Sequence, residues 1–337
     1  MNSNSHEHKK HNPVDLVVGR SVRTKLIKRL NGGSFGDIWL GEILKGSTEG
    51  MKVAVKLELQ STQTPQLMNE SQIYDILQGG PGIPTMIWHG LYEPIYTVLV
   101  LDLLGPSLQD AFVYCDKKFT LKTGLMIMDQ CLETLEFVHR HHVIHRDIKP
   151  DNWVLGSGGA QHKLYLIDFG LGKRLRRPSI MGSTRISRSL SMITHPLVGT
   201  VRYASIGAHL GHEETRRDDL ESLSYMFLYL TKGSLPWQGL KASNREERLK
   251  GILEAKQTIT SSELAEGLPK EISSFVEQCR HQTAYHSIDH NSAREFFKTL
   301  ANREGIIYDN NFDWIIKQKE TNTQLESHTR SEIHHSS

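Results

Sequence analysis

The chain has 337 residues, with 40 Lys and Arg against 38 Asp and Glu for a formal charge of +2, and is 38% hydrophobic and 23% charged. At roughly 150 residues per domain this length suits two structural units or one two-lobed enzyme with a sizeable core. The near balance of charge excludes a protein that chooses its partner by bulk charge, so no nucleic-acid partner is expected. No apolar run reaches the ~18 residues needed to span a bilayer, and no membrane span is expected.

Three cysteines, Cys115, Cys131 and Cys279, are too few for a disulfide framework and fit a reducing compartment. Residues 1–17 start polar, without the apolar core of a signal peptide, and read as a disordered arm. An intracellular protein, cytoplasmic or nuclear, is the expectation.

The first third carries strand and turn signals. Ile27–Leu30, Ile38–Leu44 and Lys52–Leu59 are short β-rich runs separated by glycine-containing turns. Leu67–Leu77 shows helical apolar spacing and is followed by the breaker Gly79-Gly80-Pro81-Gly82. Thr85–His89 and Tyr96–Leu101 are two further strands. The pattern predicts a small, mostly antiparallel sheet with one helix over residues 18–103.

From Leu104 to Lys317 longer helices dominate. Leu121, Leu125, Met128, Leu132, Leu135 and Val138 form an apolar stripe that predicts a buried helix of about twenty residues. Asp218–Leu230, Asn244–Lys256, Leu268–Cys279 and Asp289–Leu300 are further helix candidates. Inside this part, residues 174–196 hold five arginines, five serines and no acidic residue, which suggests an exposed basic insertion. It is either a solvated loop or a phosphorylation or docking site, with Ser179, Ser187 and Ser189 beside arginines. Residues 318–337 are polar and read as a disordered tail.

Four stretches carry chemistry. Asn31-Gly-Gly-Ser-Phe-Gly36 lies between two strand candidates. It is either an ordinary hairpin or a turn whose backbone N–H groups approach phosphate oxygens. Lys56 in the apolar run Val53-Ala-Val-Lys56 needs an anionic partner if buried, and Glu70 on the following helix is the candidate. His145-Arg-Asp-Ile-Lys-Pro-Asp-Asn152 brings together a carboxylate, a cation and an amide. Asp168-Phe-Gly170 ends the next strand. Two carboxylates and an Asn on adjacent strand ends suit phosphoryl transfer, one Asp taking the hydroxyl proton while the other Asp and the Asn hold Mg²⁺. His139, His141, His142 and His145 lie close together, but their separations match no usual zinc pattern.

In this order the motifs resemble a protein kinase, and in particular the casein kinase 1 family, from about Val18 to Lys317. The specific marks are Leu103-Leu-Gly-Pro-Ser-Leu108, Gln78-Gly-Gly-Pro-Gly-Ile-Pro84 and Arg202-Tyr-Ala-Ser-Ile206. Further on come Arg216-Arg-Asp-Asp-Leu-Glu-Ser222 and Ser234-Leu-Pro-Trp-Gln-Gly-Leu-Lys241. The resemblance implies an α+β bilobal protein kinase fold, a small antiparallel sheet plus one helix above a mainly helical lobe, with ATP in the crevice.

By the same resemblance Asn31, Gly33, Gly36 and Ile38 cover the nucleotide phosphates, and Ala54 lines the adenine side. Lys56 binds phosphate oxygens and pairs with Glu70. Asp102 to Leu104 form the hinge, with Leu101 gating the back pocket. Asp147 is the catalytic base, Lys149 neutralises the transferred phosphoryl group, and Asn152 and Asp168 are the metal ligands.

The implied activity is Ser/Thr phosphorylation by a monomer using ATP and Mg²⁺. Its protein substrates would carry acidic or phosphorylated residues upstream of the target. The implied anion pockets are Arg202 with Arg248 and Gly239, and Arg146 with Lys173, where His195 replaces a further lysine. Asn31 departs from the family at the first glycine of its loop, and Gly207 at an Asn. A non-catalytic scaffold would be expected to have lost one of these catalytic residues, and none is lost.

Overall fold

The computed structural model describes residues 15–19, 22–33, 36–92, 94–175, 195–281 and 289–335, with side chains to Gln324. It divides into two compact units, Met1–Gln72 with Thr85–Leu103, and Ile73–Pro84 with Leu104–Ser337.

The first unit is a six-stranded antiparallel sheet. Its strands are β1 (Val17–Val18), β2 (Thr24–Gly33), β3 (Gly36–Ile43), β4 (Lys52–Leu59), β5 (Met86–Tyr92) and β6 (Tyr96–Asp102). They lie in the order β1-β2-β3-β4-β6-β5. β4 shows how the sequence builds the sheet. Val53, Val55 and Leu57 alternate onto one face and join Leu26, Trp39, Ile43, Val98 and Val100 in a buried core. The intervening Ala54 and Lys56 point to the other face. Strands β2 and β3 run longer than their apolar runs, because ladder bonds recruit Asn31-Gly32-Gly33 and Gly36-Asp37 at the turn.

Helix α1 (Leu67–Leu77) follows β4. Its start is held by a strand carboxylate. Glu58 is buried and accepts the backbone N–H of Gln66 at 2.9 Å and of Leu67 at 3.2 Å. Those donors have no intrahelical acceptor, and an anion there is favoured by the helix dipole.

The second unit is mainly helical. Helix α2 (Leu108–Tyr114) is started by a capping box between Ser107 and Asp110. Helix α3 (Leu121–Arg140) buries Leu125, Met128, Leu132, Leu135 and Val138, the stripe expected from spacing. Two small antiparallel pairs follow. Strand β7 (Val143–Ile144) pairs with β10 (Lys173–Arg174), and β8 (Trp153–Leu155) pairs with β9 (Leu164–Leu166).

Beyond them come α4 (Ile206–His209), α5 (Arg216–Lys232), α6 (Arg245–Thr258), α7 (Ser261–Leu264), α8 (Lys270–His281) and α9 (His290–Arg303). Helix α5 is buried along most of its length, and Gly233 stops it in a left-handed conformation at φ 91°. Ser224 donates its hydroxyl to the Glu221 carbonyl at 2.7 Å inside this helix.

Helix α10 (Asp313–His335) runs through residues that composition assigns to a disordered tail. Lys, Glu and Gln are good helix formers, and neither Gly nor Pro interrupts the segment. Its first turn is anchored, with Phe312 and Trp314 buried and Asp313 accepting both N–H and hydroxyl of Thr120. Residues 176–194, which include Ser179, Ser187 and Ser189, lie outside the described residues. Among the described residues no helix is long and apolar enough to cross a membrane.

Candidate active site

In the sheet unit, the glycine turn joins β2 to β3. Asn31 pairs across with Ile38, and Gly33 with Gly36; the tip residues Ser34 and Phe35 are outside the described set. Gly36 has φ 115°, and a Cβ there would stand 2.4 Å from the Leu57 carbonyl oxygen, so only glycine fits. Asn31 accepts the N–H of Gly32 at 2.8 Å, a local side-chain bond that stabilises a turn in place of glycine. Ile38 sits opposite Lys56, and Ala54 opposite Leu101.

Lys56 extends its ammonium to Glu70 of α1 at 2.7 Å. Its side chain is 12% exposed and that of Glu70 1%, so each charge is compensated by the other. The Glu58 cap described above fixes the helix turn that presents Glu70. The sheet ladder ends at Asp102, whose carboxylate accepts the Thr85 N–H at 3.0 Å. Leu104 lies beyond it, outside the ladder.

In the helical unit, residues 145–152 form a tightly bonded loop. His145 Nε2 lies 3.0 Å from the Ile167 carbonyl, and its Nδ1 receives the Asp147 N–H at 3.2 Å. That pair of bonds defines a neutral imidazole with the proton on Nε2. Asp147 Oδ2 receives Lys149 Nζ at 2.5 Å, and Oδ1 receives the backbone N–H of Thr200 at 2.7 Å. Asn152 gives its amide nitrogen to the Asp147 carbonyl oxygen at 2.9 Å, which leaves its amide oxygen as the atom offered to a cation.

Asp168 adopts φ 66° and ψ 67°, an uncommon conformation for a non-glycine residue. Phe169 beside it is fully buried, edge-on to Tyr74 at 5.3 Å and to His145 at 4.9 Å. The buried ring anchors the turn that holds the Asp168 backbone in this state.

The loop hangs from one buried carboxylate that motif spacing did not single out. Asp219 accepts the backbone N–H of His145 and of Arg146, both at 2.9 Å, and faces His139 Nε2 at 2.8 Å. Burial pushes its carboxyl up, but the bonds from His139 and His145 more than offset this and hold it below the ordinary value. His139 in turn meets His290 at 2.9 Å. His141 stacks against Phe137, and His142 approaches Arg216. The histidines therefore diverge, and among the described residues no group of three is placed to hold a metal ion.

The positions expected to bind substrate anions differ in character. Lys173 is engaged by Glu213 at 2.6 Å, and Arg146 Nε donates to the Leu171 carbonyl at 2.7 Å. Burial pushes the neighbouring Glu214 carboxyl up to about 8, with Arg146 opposing the shift. His195 is exposed, and its backbone N–H donates to Gly211. Arg202 is also exposed, its guanidinium over the rings of Tyr203 and Tyr229 at 5.7 and 5.4 Å. Arg248 is exposed on α6, and Gly239 has φ 75° with open space where a Cβ would stand.

A family model described as the protein kinase domain matches residues 25–295. The chain belongs to that family. The sheet unit and the helical unit are the two lobes of the bilobal kinase fold. Sequence reasoning singled out Lys56, Glu70, Asp147, Lys149, Asn152 and Asp168; the structure pairs Lys56 with Glu70 and brings Lys149 and Asn152 to Asp147. Sequence reasoning missed Asp219, Thr200, Gly199 and Glu58. Asp219 and Thr200 act on or through main-chain atoms across long stretches of sequence, Glu58 caps a helix start eight to nine residues on, and Gly199 leaves room for a carbonyl. Only the doublet Gly199-Thr200 after a loop, and the buried carboxylate within Arg216-Arg-Asp-Asp219, could have signalled them.

Proposed function

We propose that this kinase transfers the γ-phosphoryl group of ATP to Ser and Thr hydroxyls, that it is of casein kinase 1 type, and that it prefers acidic or phosphate-primed sites. The observation that carries the reading is the Asp147 carboxylate, held by the Thr200 N–H on one oxygen and by Lys149 on the other.

The residues fit a nucleotide and a divalent cation. Asn152 is oriented by its amide nitrogen to offer oxygen, and Asp168 is held on an anchored turn. The glycine turn and Lys56 would meet the phosphates, and Asn152 and Asp168 would ligate Mg²⁺. When bound, the cation would neutralise charge on the phosphate oxygens. Asp147 orients the substrate hydroxyl and accepts its proton as the oxygen bonds to phosphorus and ADP departs. Lys149 offsets the charge on the transferred group, and fixed charges of this kind need no reorganisation as the reaction proceeds. Lysine two residues after the catalytic Asp supports Ser/Thr rather than Tyr acceptors by resemblance.

Primed recognition is assigned to Arg202 and Arg248. Both are exposed cations, whereas Lys173 already faces a carboxylate. The test compares two Ser peptides, one with phosphoserine and one with alanine three residues before the target. The wild type should favour the primed peptide, and Arg202→Ala should lower kcat/KM for that peptide about tenfold or more while sparing the other. Equal rates on both peptides would discard the pocket.

A further inference from the structure

Helix α6 buries only two side chains, Ile252 and, one turn later, Lys256. Lys256 is 0% exposed. A buried ammonium is costly unless it is hydrogen-bonded. Its Nζ donates to the carbonyls of Val201 at 3.0 Å and Ala204 at 2.6 Å, and lies 3.2 Å from His209 Nε2. The rings of Tyr225 and Trp237 flank it at 5.2 and 5.1 Å, in cation–π range.

The carbonyls it holds belong to one short segment, and other buried groups grip the same segment. Trp237 Nε1 donates to the Arg202 carbonyl at 2.8 Å. Ser205 gives its hydroxyl to Asp218 at 2.6 Å, and Glu221 accepts the Ile206 N–H at 2.8 Å. At the near end of the segment is Thr200. Its carbonyl accepts the N–H groups of Tyr203 and Ala204, and its own N–H reaches Asp147. Asp218 and Glu221 accept hydrogen bonds and Trp237 reaches a different carbonyl, so among the described residues Lys256 is the side chain that donates to the carbonyls of both Val201 and Ala204.

We propose that Lys256 is a positioning residue for protein substrates, fixing the segment Thr200–Ile206 through the carbonyls of Val201 and Ala204. The segment then presents Arg202 and carries the Thr200 bond to the catalytic carboxylate. Burial lowers the Lys256 pKa to about 7, with Glu221 opposing, and His209 beside it is lowered to about 4 by burial and by this cation. The inference rests on the kinase reading only in assigning this segment to the peptide.

Lys256→Met keeps the length and the contact with both rings but cannot donate. Lys256→Arg keeps the cation and the donors. In the full chain, steady-state kinetics with an acidic Ser peptide should show the Met variant raising peptide KM about tenfold, with the KM for MgATP within about twofold. The Arg variant should recover most of that loss. Hydrogen exchange at Tyr203 and Ala204 should quicken about tenfold or more in the Met variant, while Leu223 inside α5 is unchanged.

Equal losses in both KM values, or unchanged exchange at Tyr203 and Ala204, would overturn the proposal. Exchange in wild type as fast at these amides as in the exposed residues 241–243 would also overturn it, whether or not the Met variant folds. If the wild type transfers no phosphate, the functional reading fails, and the exchange result still decides whether Lys256 holds the segment.

Discussion

Gly199 shows how narrow the tolerance is around the Asp147 carboxylate. It has φ 78°, and a Cβ on it would stand 2.4 Å from the Arg146 carbonyl oxygen and 3.2 Å from Asp147 Oδ1. Gly199→Ala combines left-handed strain with a backbone clash, so the loop must shift. A kcat loss of about a hundredfold with an unchanged far-ultraviolet spectrum is expected, since ångström displacements of a catalytic group cost rates of that order. A variant with wild-type kcat would contradict the assigned role of the Thr200 bond.

Asp219 makes a different prediction. Its carboxyl is held below its unfolded value, so its stabilising contribution is present above about pH 4 and fades as pH falls through the folded value. Asp219→Asn should lower stability by about 3 kcal/mol at neutral pH, as for other broken buried pairs, and flatten the acid limb of the thermal unfolding profile. Lys56 was legible because Glu70 lies fourteen residues on, and Asp147 because its side-chain partners Lys149 and Asn152 lie within five. Asp219 acts on main-chain donors seventy-three and seventy-four residues away, and no local pattern records that.

At the scale of elements, apolar periodicity placed α1, α3, α5, α6, α8 and α9 and strands β2 to β6, with β4 and α1 to the residue, but not the short α2, α4 and α7 or the two-residue strands β1, β7 and β10. It failed where hydrogen bonds rather than burial set the limits. Strands β2 and β3 extend through polar glycine-rich residues, and α10 continues through a polar segment that only intrinsic propensity supports. The connection before α5 carries the capping box Thr215–Asp218 and the half-buried Glu214.

Glu214 titrates near 8 in the folded chain, well above the ordinary carboxylate range. Its contribution is thus fully present below the unfolded value and is lost as pH rises through about 8. Glu214→Gln should therefore reduce the fall in unfolding temperature between pH 5 and pH 8, measured by calorimetry. An identical slope in the variant would rule Glu214 out as its source.

For the whole molecule, each unit holds its own chemistry and its own core. The sheet unit was readable because alternating apolar residues of successive strands, such as Val53, Val55 and Leu57, supply its core, and the helical unit because its stripe in α3 is long. Helix α10 is fastened by Phe312, Asp313 and Trp314, all before the polar segment. Chains ending at Gln318 should keep kcat within about twofold of the full chain, because residues 319–324, the removed residues whose side chains are described, are all exposed. A large rise in rate would instead reveal inhibition by the removed residues.

The central claim is phosphoryl transfer through Asp147. It is tested most directly by following labelled phosphate from MgATP to a Ser peptide with wild type and Asp147→Asn, alongside equilibrium nucleotide binding. The account predicts phosphoserine from the wild type, a loss of at least about a thousandfold in the variant, and equal nucleotide affinity in both. Folded, nucleotide-binding wild-type protein that transfers nothing, or an Asp147→Asn variant that transfers at the wild-type rate, would contradict it.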